Sequence, residues 1–147
     1  MRQVDTIPYK RPLNLKRTIV SAFVYLTIPI KHDNPDIESK RCDYATEIAS
    51  YFHDAGIPVF SPASHGQPIN SKSIKRQDWS YWSKIDLPIL TCCCTHLVVI
   101  CSPGWVDSTG VNSEILTARD VGIRVIYYDP SNQCRLRSII DALLEWK

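Results

Sequence analysis

Two hydrophobic rhythms alternate along this chain. Ile19, Val20, Ala22, Phe23, Val24, Tyr25 and Leu26 make Thr18 to Ile28 almost continuously apolar, as in a strand covered on both faces. Pro29 to Asp33 reads as a loop. Asn34 then caps a helix with Pro35 at its first position and Asp36 and Glu38 in its first turn. Ile37, Arg41, Tyr44, Ile48, Phe52 and Ala55 keep helical spacing until Gly56. Ile57 to Phe60 predicts a short second strand, parallel to the first through a right-handed crossover. Ser61 to Arg76 reads as a long loop of the kind that often carries function. Gln77 to Thr91 predicts a helix, with Pro88 as a kink or break. His96 to Cys101 predicts a third strand and Arg124 to Tyr128 a fourth. A helix opens near Ser108 and ends at Gly122, and a last one spans about Gln133 to Trp146. Strands alternating with helices predict an α/β sheet of four or five parallel strands.

In such sheets ligands bind beyond the carboxyl ends of the strands. That rule gathers Tyr25 to Lys31, Ser61 to Gln67 and Ser102 to Glu114 around one pocket. Within it, Ser108-Thr109-Gly110-Val111-Asn112-Ser113-Glu114 is the most informative stretch. Free N–H groups at a helix start favour an anion, Ser108 can cap or bind it, and Gly110 permits close approach. Glu114 lies about 60° from Val111, at the edge of the apolar stripe Val111, Ile115 and Ala118. Its position suits either a half-buried functional carboxylate or a first-turn acid favoured by the helix dipole.

A second carboxylate, Asp86, sits on an aromatic-rich segment. A carboxylate pair can run glycosidic chemistry, one attacking the anomeric carbon and the other protonating the leaving group. Burial would raise the pKa of Asp86 and suit it to the acid role, and exposure would make it an ordinary helix residue. Tyr25 could orient Glu114, and Thr27 shares its strand end. Trp79, Trp82 and Trp105 are readable as stacking surfaces or as core, and His65 as a ligand contact or a loop histidine.

The 147 residues suit one domain. A basic arm, residues 1–17, precedes the domain at 18–147, and its charge invites a partner. A net charge of +2 makes nucleic acid an unlikely partner. No apolar run has the length of a membrane span, and no signal peptide is seen. Cys92, Cys93 and Cys94 are consecutive, which suits reduced thiols in the cytoplasm better than disulfides. Their spacing to His96 does not match zinc-ligand patterns, so no metal is expected. No dinucleotide fingerprint or phosphate loop with lysine appears.

Tyr25-Leu26-Thr27-Ile28-Pro29 resembles the first-strand motif of nucleoside 2-deoxyribosyltransferase-like proteins. Val59-Phe60-Ser61-Pro62, Ser64-His65, Pro68-Ile69, Gly104-Trp105, Ser108-x-Gly110-Val111-x-x-Glu114, Ala118 and Gly122 resemble an uncharacterised bacterial and phage branch of that superfamily. The resemblance implies a flavodoxin-like, Rossmann-like three-layer sandwich and N-glycosidic chemistry on nucleosides or their 5′-monophosphates, or a non-catalytic nucleotide sensor. It implies Glu114 as nucleophile, Tyr25 as its orienting residue, Asp86 as the group aiding base departure, and Ser108 with Gly110 as the phosphate site. Thr27, His65, Trp79, Trp82 and Trp105 are then expected to contact substrate. No cofactor is called for, and a homo-oligomer is expected. Two departures stand out: Ile28 where relatives carry a small residue, and Thr95 where many carry a ligand-contacting aspartate.

Overall fold

The computed structural model describes residues 21–146. The basic arm lies outside them, as does the start of the predicted first strand. Within them β1 is Val24–Thr27, every residue of it buried. Helix α1, Pro35–Asp54, begins where the Asn34 side chain accepts from the Asp36 N–H at 2.9 Å. It ends before Gly56, whose φ of 77° is the left-handed turn that glycine tolerates.

Strand β2 is only Val59–Phe60. The predicted loop that follows is largely helical: α2 spans Pro62–Lys72. Its start signal was present in Ser61-Pro62, since Ser61 Oγ accepts from the Ser64 N–H at 3.2 Å. Gly66 and Pro68 argue against a helix by propensity. Packing overrides them. Thr46 Oγ1 on α1 meets Ser64 Oγ at 2.6 Å, and the Trp82 ring lies against Gly66. Helix α3, Trp79–Cys93, runs through Pro88 without a break. Strand β3 is His96–Ile100, α4 is Thr109–Asp120, β4 is Arg124–Tyr128 and α5 is Gln133–Glu145.

The sheet has four strands among the described residues, in the order β2-β1-β3-β4, all parallel. Side chains alternate across it. Val24, Leu26 and Ile28 face a core built with Ile48 and Phe52 of α1 and Leu136, Ile139 and Leu143 of α5. Tyr25, Leu97 and Val99 face a second core with Leu90 of α3 and Val111, Ile115 and Ala118 of α4. This is the expected three-layer α/β sandwich. The strand order reverses direction between β1 and β3, and in sheets of this kind that reversal marks, at the carboxyl ends, the usual ligand position. Among the described residues, no helix is long and apolar enough to cross a membrane.

Candidate active site

Tyr25 on β1 pairs in register with Phe60 on β2 and Leu97 on β3. Its side chain leaves the sheet on the α3/α4 side, as does that of Thr27 two residues on. Glu114 sits in the second turn of α4 and faces back to the sheet. The Tyr25 hydroxyl donates to Glu114 Oε1 at 2.6 Å. That is a short, charge-assisted geometry. Asp86 comes from the middle of α3. Glu114 and Asp86 are each only 3% exposed, which settles both alternatives left open by the sequence in favour of burial.

Burial drives the electrostatics here. It raises Glu114 to about 7, the Asp86 charge adds to the rise, and the hydroxyls of Thr27 and Tyr25 oppose it. Burial alone raises Asp86 to about 6. The Tyr25 phenol is raised far beyond its ordinary value by burial and by both carboxylates, so it remains a donor. Two buried carboxyls raised well above the ordinary carboxylate range, one of them held by a tyrosine hydroxyl, are candidates for acid–base chemistry.

Three buried side-chain oxygens among the described residues have no hydrogen-bond partner: Glu114 Oε2, Asp86 Oδ1 and Ser102 Oγ. Buried polar groups are normally paired, so such orphans mark a place where something else supplies the partner. Ser102, just past the end of β3, was not singled out by sequence. A lone serine after a strand carries no signal of its own, and only its unpaired buried hydroxyl marks it.

At the start of α4, Ser108 Oγ accepts from the Val111 N–H at 3.4 Å, so the serine acts as a cap here. Gly110 is covered: a Cβ there would meet the Trp79 ring at 3.6 Å. Trp82 likewise lies over Gly66, where a Cβ would meet its ring at 3.4 Å. Both tryptophans therefore pack on glycines. His65 is on α2, not on a loop, and is exposed. It continues an aromatic row in which Tyr25 to Phe60, Phe60 to His65 and His65 to Trp82 have centroid separations of 5.7, 5.9 and 6.3 Å. Trp105 packs on Tyr127 of β4 at 5.5 Å and, partly buried, against the core that holds Tyr25 and Val111.

Thr95 precedes β3 at the opposite end of the sheet. Its hydroxyl accepts from the Phe23 N–H at 2.9 Å and lies 2.7 Å from His96 Nδ1. The missing aspartate there thus touches strand pairing, not this site. Ile28 packs in the α1/α5 core. Cys92 and Cys93 are exposed while Cys94 is buried, so the three thiols do not converge. Two open concavities, of about 380 and 450 Å³, lie at the amino ends of the strands. One is lined by His96, Arg124 and Trp146 among others, and the other by Phe23, His53 and Pro58 among others.

One stability prediction follows from Glu114. Its folded pKa of about 7 exceeds its ordinary value of 4.5. A raised acid stabilises the fold least when ionised, so stability falls as pH rises from 4.5 to 7. The penalty above that window is on the order of 3 kcal/mol. Glu114→Gln is expected to raise Tm by roughly 5 °C or more at pH 8 and to leave it nearly unchanged at pH 4. Differential scanning calorimetry at the two pH values checks this.

A family described as a domain of unknown function (DUF1937) matches residues 19–130. Among curated proteins nothing matches. A solved structure of 2-deoxyribosyltransferase from the psychrotolerant bacterium Bacillus psychrosaccharolyticus is similar in fold. The two superpose with a TM-score of 0.53 at 20% identity, over 74% of this chain and 73% of that one. The family match spans most of the chain and includes both carboxylates and Tyr25, so the protein belongs to the DUF1937 family, on a fold shared with a 2-deoxyribosyltransferase.

Proposed function

We propose that this protein cleaves or transfers the N-glycosidic bond of a nucleoside 5′-monophosphate or nucleoside. The observation that carries the reading is the buried pair Glu114 and Asp86, with the Tyr25 hydroxyl fixed on Glu114 at 2.6 Å. The structural neighbour is a 2-deoxyribosyltransferase described as a biocatalyst for nucleoside synthesis, which agrees with this chemistry.

In the proposed reaction, Tyr25 holds Glu114 Oε1 and leaves Oε2 without a protein partner. An Oε2 lone pair attacks the anomeric carbon. The bond from that carbon to the base nitrogen breaks, and its electron pair leaves with the base. Asp86 gives its proton to the departing base and becomes a carboxylate. The glycosyl ester on Glu114 is then opened by water, or by a second base, whose proton returns to Asp86. Ser108, Gly110 and the free N–H groups of the first turn of α4 would hold the phosphate. Trp79, Trp82 and His65 would close over the base.

The test is incubation with a panel of ribo- and deoxyribonucleotides and nucleosides, with free base followed by chromatography. No base from any of them would count against catalysis. Tyr25→Phe removes the donor on Glu114. It is expected to lower kcat about tenfold to a hundredfold, the worth of one hydrogen bond to a charged group. It also shifts the acid limb of the pH profile upward, since that hydroxyl lowers Glu114.

A second reading is a non-catalytic nucleotide or nucleotide-signal binder. What favours it is the burial of both carboxylates, each only 3% exposed. Thermal stabilisation by a nucleotide without base release over hours would select it.

A further inference from the structure

The geometry points to Arg41 as a positioning residue that sets the phosphate end of the site. The inference rests on the nucleotide reading above. Arg41 lies in the second turn of α1 and is half buried. Its Nη1 donates to the carbonyls of Ile30 at 3.4 Å and Lys31 at 3.0 Å. Its Nη2 donates to the Pro103 carbonyl at 2.9 Å. One guanidinium therefore fastens the loop after β1 to the loop after β3. These are the two loops on either side of the reversal in strand order, where a ligand enters. Arginine suits the task because its planar fork presents fixed donors in two directions.

The link continues to the start of α4. Gly104 follows Pro103 with a φ of 89°, and a Cβ there would stand 3.7 Å from Arg41 Nη2. The chain then makes the turn Trp105–Asp107 and reaches the Ser108 cap. Asn112 Nδ2 ties that turn back to α4 by donating to the Val106 carbonyl at 2.7 Å. Arg41 thus holds the segment whose amides would grip an anion. Glu114 is anchored separately, by burial and by Tyr25. Loosening the clamp should move the anion cradle more than the carboxylate. Binding of the phosphate then suffers before chemistry does.

The experiment compares wild type, Arg41→Ala and Arg41→Lys. It reads KM and kcat on a nucleoside 5′-monophosphate and on its unphosphorylated nucleoside. It also reads hydrogen exchange of amides at 30–33 and 103–110. Arg41→Ala is expected to raise KM for the monophosphate about tenfold. It should leave KM for the nucleoside within about threefold and change kcat little. Exchange should quicken in both loops together, with lysine restoring part of the protection. Unchanged exchange in either loop, or quickened exchange throughout the chain, overturns the assignment. So does an equal loss on both substrates. Absence of base release by wild type would instead refute the glycosidic reading, and the exchange pattern would still decide the clamp.

Discussion

Glu114→Ala is expected to abolish base release, lowering kcat by on the order of 10³-fold or more, as removal of a covalent nucleophile does. The side chain is buried against Tyr25, so alanine also leaves a small void and an unpaired phenol. Glu114→Gln keeps the shape and an acceptor for that hydroxyl while removing the charge. It should be as inactive as alanine yet fold at least as well as wild type. Inactive and thermally stable together are the signature of a strained catalytic carboxylate, since stability and activity then oppose each other at one atom. A glutamine variant with wild-type turnover in the chromatographic assay would sink the nucleophile assignment.

Asp86→Asn is expected to cost about 10²- to 10⁴-fold in kcat, the range for general acid catalysis. Its effect on the pH profile is the sharper test. The proposed reaction needs Glu114 ionised and Asp86 protonated. Glu114 lies at about 7, so activity is lost as pH falls through that value; Asp86 lies at about 6, so activity is lost as pH rises through that one. The limbs cross, and kcat/KM should peak between them. In the proposed reaction the anomeric carbon becomes positive as the base departs and favours the ionised state of Glu114, with Tyr25 donating to it. Asp86→Asn should lose the alkaline limb and keep the acid one. A profile with both limbs intact would remove Asp86 from the acid role. Bases with good leaving ability should suffer least from the substitution, because they need least protonation.

Much of the site was readable along the chain because its parts are local. A serine cap, a glycine and a carboxylate one turn later fall within seven residues of α4, and helical spacing alone sets Glu114 at the edge of the buried stripe. Tyr25 shares a strand face with Thr27 by simple alternation. Asp86 was ambiguous because burial on α3 depends on what α3 packs against. The direction of Trp105 is set by a three-residue 3₁₀ turn, which no spacing along the chain encodes. The α2 helix was missed because Gly66 and Pro68 are poor helix formers, and only contact with α1 and Trp82 compensates.

The sequence by itself determined the alternation of four strands with helices, the caps that start α1 and α4, and the acid on the inner edge of α4. These follow from periodicities and capping bonds that span a few residues. Tertiary structure alone decided that Glu114 and Asp86 are both buried, that burial raises both carboxyls, and that Arg41 ties the loop after β1 to Pro103, 62 residues along the chain from itself. Desolvation and long-range hydrogen bonds depend on which distant segments meet, and no local pattern encodes that.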